Sequence, residues 1–255
     1  MLSADGVVLL AALALLATGG ALIAYVIRLR RRFPLTLCQT FWYGVNYAIA
    51  RFLWRARVAG VLPIPPDRGA VVVCNHRSSL DPSLIEIATN RVVHWMVAKE
   101  YFKHWAMGRF LRLAEAIPVG RAGQDIQATK TAIRYAQNGG IIGIFPEGRV
   151  NATDRLLLPG RPGAAMVALK ARVPVVPCYV EGSPYDGTPL GCLLMPARVQ
   201  VRFGQPIDLS EFYGREDERE VLQQVTKQIL SAIAALAGQP DFQPELAGRL
   251  CKPEK

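Results

Sequence analysis

Val71-Val72-Val73-Cys74-Asn75-His76-Arg77-Ser78-Ser79-Leu80-Asp81-Pro82 is the stretch on which the reading of this 255-residue chain turns. Three Val and a Cys, preceded by Gly69-Ala70, make a short apolar run that predicts a buried strand. Asp81-Pro82 predicts a helix start, with Asp81 as N-cap and Pro82 at the first helical position, where its missing N–H costs nothing. His76 and Asp81 thus fall between a strand end and a helix start, where open α/β sheets place their ligands. A carboxylate beside an imidazole holds one tautomer, and such a His accepts a proton from a hydroxyl at neutral pH.

Working outward, Val92 to Ala98 predicts a strand in which His94 is a packed or edge residue, and 105–113 predicts a helix with His104 solvated at its start. Ala116 to Arg121 is a strand and turn. Ile126 to Gln137 predicts a helix closed by Asn138-Gly139-Gly140 as a left-handed C-cap. Ile141 to Phe145 is a second buried strand, broken by Pro146-Glu147-Gly148-Arg149. Pro159-Gly160-Arg161-Pro162-Gly163-Ala164 opens a helix running to about Arg172, and a basic, Gly-rich helix start is a ready anion site. Val199 to Phe203 is a late strand. Val221, Val225, Ile229 and Ile233 mark one stripe of a closing amphipathic helix, and Pro240 to Lys255 is expected as a loose tail.

Asn75-His76-x-Ser78-x-x-Asp81 closely resembles the first motif of the glycerolipid acyltransferases, the lysophosphatidic acid acyltransferase family. Lys99-Glu100-Tyr101-Phe102 followed by Ala116-Ile-Pro-Val-Gly-Arg121 resembles the second, in which an Arg contacts the acceptor's phosphate through its planar fork of donors. Gly120 stands where relatives often carry a polar or acidic residue, so the resemblance transfers only Arg121. Phe145-Pro146-Glu147-Gly148 resembles the third motif. It implies that Glu147 positions the acceptor's hydroxyl or glycerol backbone, that the backbone N–H at Gly148 approaches the reacting carbonyl, and that Arg149 meets a phosphate. Relatives commonly follow that Gly with Thr and then Arg or a small polar residue, where this chain has Arg149-Val150-Asn151. Val173-Pro174-Val175-Val176-Pro177 resembles the fourth motif and reads as scaffold and acyl-groove wall.

The four motifs stand in order within roughly residues 60–210. The resemblance implies a mixed α/β sheet flanked by helices. It also implies an acyl transfer in which His76 is the base and Asp81 holds the imidazole, with Asn75, Ser78, Arg121, Glu147, Gly148 and Arg149 toward substrate. The acceptor it implies is lysophosphatidic acid, giving phosphatidic acid. Acyl-CoA or acyl carrier protein enters as a co-substrate, with no bound cofactor and no metal. Another lysophospholipid, glycerol 3-phosphate or an aminolipid stands as the alternative acceptor.

Composition places this domain beside a membrane. Gly6 to Ile27 is a run of 22 residues without a charge. As a helix it would be about 33 Å long against a hydrocarbon core of ~30 Å. Arg28, Arg30, Arg31 and Arg32 follow, and only Asp5 is charged before it, so the positive-inside rule puts the rest of the chain in the cytoplasm. A cleaved signal peptide would carry the opposite charge order. Phe41, Trp42, Tyr43, Tyr47, Phe52 and Trp54 crowd a segment with Arg51, Arg55 and Arg57, a composition that suits an interfacial helix, a helix packed on the core, or both. The expected organisation is 1–32 anchor and basic flank, 33–58 interfacial helix, 59–238 catalytic domain and 239–255 tail. The net charge of +10 calls for an acidic partner.

Five cysteines without a CxxC pair read as buried reduced thiols, and three histidines without paired spacing argue against a zinc site. Two other classes fit less well. A hydrolase using Ser78, Ser79 or Ser183 would lack the G-x-S-x-G elbow. A non-catalytic module binding acidic lipid or nucleic acid would leave the His–Asp pair unused, and no nucleic-acid motif is present.

Overall fold

The computed structural model describes residues 20, 24, 27, 36–89, 91–120, 125–188 and 191–248. The expected membrane anchor falls outside the described residues except for Gly20, Ala24 and Ile27, and Arg121 falls outside them altogether. Among the described residues no helix is long and apolar enough to cross a membrane.

The chain divides into two compact units, Met1–Val45 and Asn46–Lys255. The described part of the first leads into helix α1 (Leu37–Ala48), on which Leu37, Phe41 and Trp42 are exposed. Phe41 and Trp42 meet edge to face at 5.5 Å.

The second unit is built on a seven-stranded sheet. Its strands are β1 (Arg57–Ala59), β2 (Ala70–Cys74), β3 (Val93–Ala98), β4 (Ile117–Val119), β5 (Ile141–Ile144), β6 (Val175–Glu181) and β7 (Gln200–Phe203). They lie in the order β1-β7-β6-β2-β5-β3-β4. Strands β2 to β6 run parallel, β7 is antiparallel to β6, and β1 is parallel to β7, which makes the sheet mixed. Every residue of β2 is buried, because both of its neighbours are strands and both of its faces are covered.

Side chains alternate across a strand, so β2 feeds two cores. Val71 and Val73 pack with helices α4 (Ile126–Gln137), α5 (Gly163–Ala171) and α6 (Arg219–Leu236). Ala70, Val72 and Cys74 pack on the other face with Leu84 and Ile85 of α2 (Asp81–Thr89) and with Ala50 and Trp54. The expected stripe Val221, Val225, Ile229 and Ile233 is the buried face of α6. In β5, a Cβ on Gly143 would come within 2.4 Å of the Trp95 ring, so the glycine is what lets that indole lie on the sheet. Helix α4 closes as its sequence predicts, with Gly139 at a positive φ of 84°, and it is also capped at its start, where Asp125 accepts the N–H of Ala128 at 3.0 Å.

His104 is exposed at the start of helix α3 (Trp105–Leu113), as expected, and also serves as its N-cap, its Nδ1 accepting the N–H of Met107 at 3.3 Å. Two expectations are corrected. The described part of the expected loose tail is pinned to the domain. Gly160 N–H donates to Glu245 O and Ala247 N–H to Gly160 O, both at 2.9 Å, while Phe242 and Leu246 pack against the core. Two apolar residues and a backbone bridge hold the segment in place. Asp81, finally, does not cap its own helix but turns its carboxylate back into the preceding loop.

The parallel strands bring their carboxyl ends to one edge. His76 lies two residues past β2, Glu147 three past β5 and Ser183 two past β6.

Candidate active site

The loop after β2 closes on a single buried carboxylate. Asp81 is fully buried, and its Oδ2 accepts three hydrogen bonds: from the N–H of Arg77 at 2.7 Å, from the N–H of Ser78 at 2.8 Å, and from Nδ1 of His76 at 3.0 Å. Its Oδ1 accepts the hydroxyl of Ser183 at 2.6 Å. A carboxylate so surrounded stays an acceptor, so the proton shared with His76 sits on Nδ1 and Nε2 is left as the basic nitrogen. The imidazole is half-closed from solvent, its side chain 15% exposed. Phe145 lies on it face to face, centroids 3.8 Å apart at 8°, and Trp95 stacks on the far side of Phe145 at 4.7 Å.

The backbone of His76 is held from the neighbouring strand's loop. Its N–H donates to Oε1 of Glu147 at 2.7 Å, and its carbonyl accepts the N–H of Asn151, also at 2.7 Å. Oε2 of Glu147 accepts the N–H of Leu158 at 2.8 Å. Burial pushes the Glu147 carboxyl upward from its ordinary range, and these two N–H donors pull it back.

The acyltransferase family model matches residues 55–181. A 1-acyl-sn-glycerol-3-phosphate acyltransferase of Bacillus subtilis is 29% identical over 150 residues, 58% of this chain and 72% of the relative. One from Streptococcus pneumoniae is also 29% identical, over 60% of this chain and 55% of its own length. The crystal structure of the 1-acyl-sn-glycerophosphate (LPA) acyltransferase PlsC from Thermotoga maritima superposes with a TM-score of 0.56 at 26% identity, covering 73% of this chain and 75% of that one.

The chain belongs to the glycerolipid acyltransferase family.

Several residues of this acyltransferase do other work than expected. Asn75 is buried and locked to β6: its Nδ2 donates to Val180 O and its Oδ1 accepts Val180 N–H, each at 2.8 Å. Ser78 is fully buried, its hydroxyl donating to Pro184 O at 2.5 Å and accepting the N–H of Leu80 at 3.1 Å. Glu147, at 3% exposure, has both oxygens engaged by backbone. All three hold the loop, because a buried polar side chain must satisfy itself within the protein. The N–H of Gly148 is also engaged, donating to Phe145 O at 3.1 Å.

Arg149 is exposed two residues past Glu147. Arg161 joins it from the start of α5: a Cβ on Gly148 would lie 3.1 Å from Arg161 Nε, and the Arg161 N–H donates to Pro146 O at 2.8 Å. The basic helix start noted in the sequence therefore lies over the Phe145-Pro146-Glu147-Gly148 turn. Arg77, by contrast, spends its Nη1 on the carbonyls of Asn151 at 3.0 Å and Thr153 at 2.5 Å.

Sequence reasoning missed three positioning residues. Ser183 was weighed only as a nucleophile, and it is bound to Asp81. Phe145 was read as strand and Asn151 as a departure from the family pattern. A Ser, a Phe and an Asn in isolation carry no signal for these roles.

Proposed function

We propose that this acyltransferase moves a fatty acyl group from a thioester to the free hydroxyl of lysophosphatidic acid, giving phosphatidic acid. The observation that carries the reading is the bond from His76 Nδ1 to the buried Asp81 carboxylate, which leaves Nε2 as a base at the carboxyl edge of the sheet. Nε2 takes the acceptor hydroxyl's proton as that oxygen attacks the thioester carbonyl. The tetrahedral intermediate expels the thiolate, and the imidazolium returns the proton to sulfur. The new ester bond forms, the C–S bond breaks, and no acyl-enzyme is needed because the acceptor is the nucleophile. Asp81 stabilises the imidazolium and keeps the ring's orientation, with Phe145 fixing its plane.

Arg149 and Arg161 are suited to the acceptor's phosphate, since a guanidinium offers paired donors to phosphate oxygens. The names of the relatives support the phosphate-bearing lysolipid over the other acceptors. Acyl-CoA or acyl carrier protein would supply the thioester. The uncharged run Gly6 to Ile27 with its Arg flank supports a membrane-anchored enzyme with its catalytic domain on the cytoplasmic side.

The test is acyl transfer by membranes carrying the full-length protein, with labelled lysophosphatidic acid and acyl-CoA, beside His76→Ala. Product from wild type, and a loss of about 10²–10⁴-fold in the variant, is the expected result. Equal rates from both proteins would overturn the role of His76.

A further inference from the structure

The connection from β5 to α5, residues 145–162, carries Phe145, Glu147 and Asn151 to His76 and holds Arg149 and Arg161 outward. It is longer than the ~12–15 residues beyond which a connection without regular structure becomes uncommon. Each residue fixed in place loses backbone freedom, so the order of this connection has to come from bonds to its neighbours.

Some of those bonds come from the catalytic turn. Leu158 N–H reaches Glu147 Oε2 and Arg161 N–H reaches Pro146 O, each at 2.8 Å. The others come from a segment far along the chain. Helix α6 ends at Gly238, whose φ is 80°, and the residues after it form a parallel bridge, Leu246 against Gly160. Gly160 N–H donates to Glu245 O and Ala247 N–H to Gly160 O, both at 2.9 Å. The carboxylate of the same Glu245 accepts Nη2 of Arg155 at 2.5 Å. One residue thus clips the connection at two points. Arg155 O in turn accepts Nδ2 of Asn151 at 2.9 Å, and Asn151 N–H holds the His76 carbonyl.

Gly160 and Arg161 are therefore tied in opposite directions, one to this strap and the other to the catalytic turn. The backbone beneath Arg161 is fixed from both sides while its guanidinium stays in water. Gly160 itself is buried against α6, where a Cβ would come within 2.6 Å of Leu230 Cδ1. The Arg155–Glu245 pair is exposed and contributes little. The weight falls on the backbone bridge and on Phe242 and Leu246, which pack against the core.

We propose that residues 241–247 are a positioning strap for recognition of the acceptor's phosphate. By clamping Gly160 they set the place of Arg161 over the Phe145-Pro146-Glu147-Gly148 turn, and so govern how tightly a phosphate-bearing acceptor is held. The strap's bonds go to Gly160 and Arg155 rather than to His76 or Asp81, so its effect falls on KM rather than on kcat. The proposal rests on the reading of Arg161 as a phosphate ligand and adds what positions it.

The test uses the full-length protein and four variants. Ala247→Pro removes the N–H that donates to Gly160 O, and Ala247→Gly keeps it. Phe242→Ala/Leu246→Ala frees the strap from the core and leaves the bridging groups in place. Arg161→Ala removes the cation. Amide hydrogen exchange over residues 157–161 should quicken about tenfold in Ala247→Pro and in the double variant, with β2 and β5 unchanged. KM for lysophosphatidic acid should rise about tenfold in both, with kcat within about twofold of wild type, and Ala247→Gly should match wild type. Added to Arg161→Ala, Ala247→Pro should raise KM no further, because its effect runs through that side chain. Unchanged exchange over 157–161 overturns the proposal, and so does a KM effect that adds in full to that of Arg161→Ala. Faster exchange with KM unchanged, where Arg161→Ala alone raises KM, also overturns it and leaves the strap as scaffold. Arg161→Ala with KM unchanged overturns the phosphate reading itself, and the proposal with it.

Discussion

In the function proposed above, the loop Asn75–Asp81 and the cations Arg149 and Arg161 share one site, and they are built by opposite rules. In the loop, Asn75, Ser78 and Asp81 are buried and every one of them is hydrogen-bonded within the protein. The two guanidinium groups stand in water on long side chains. Placing a base within reach of a hydroxyl demands a fixed geometry, and buried, satisfied polar groups supply it. Recognising a phosphate demands charge and donors, and a flexible cation adapts to its ligand. The chemistry is thus rigid where atoms react and yielding where the substrate is held.

Substitutions on each side test this contrast. The largest effect is expected from Asp81→Asn. An amide keeps the volume but turns a donor toward groups that must themselves donate, and it no longer holds the His76 tautomer. Activity should fall about 10²–10⁴-fold with the fold retained, measured by kcat alongside thermal unfolding.

Ser183→Ala removes one of four hydrogen bonds to that carboxylate, and a bond to a charged group contributes about 1.5–3 kcal/mol. A loss of roughly tenfold in kcat with KM unchanged is expected. The acid limb of the pH–rate profile should move, and Ser183→Thr should restore both. If only stability changed, Ser183 would be scaffold alone.

Arg161→Ala sharpens the other side: KM for the phosphate-bearing acceptor should rise about tenfold while kcat stays near wild type. A fall in kcat with KM unchanged would place Arg161 with the rigid half of the site.

The last expected effect concerns stability and leaves activity unchanged. Burial, with the nearby Glu115 charge, pushes the Glu86 carboxyl from 4.5 up to about 7. A pKa raised in the folded state means that folded protein holds the proton more tightly than unfolded chain across that window. Stability therefore falls as pH rises from about 4.5 to about 7, and the cost persists above it. Glu86→Gln should be more stable than wild type at pH 8, by on the order of 1–3 kcal/mol, with the difference closing near pH 5; denaturant midpoints at the two pH values measure it.

Much of this was legible in the chain. Val71 to Cys74 read as a buried strand because a central parallel strand has no polar face to show. His76 and Asp81 were legible because a short loop brings residues five apart together whatever the rest does. Asn75, Ser78 and Glu147 were legible as important residues, but not their partners within the protein, since a motif names a residue without saying which way its side chain points. Ser183 was hidden by the 102 residues that separate it from Asp81.

By itself, then, the sequence determined the strands, the helix stripes and the His–Asp pair, because local spacing and burial pattern carry them. Only the tertiary structure decided what surrounds that pair. Strand β5 beside β2 delivers Phe145, Glu147 and Asn151 to His76, and β6 on the other flank delivers Val180 to Asn75 and Ser183 to Asp81. Those contacts depend on strand order, and strand order is set by how the two cores pack against the sheet rather than by any single stretch of residues.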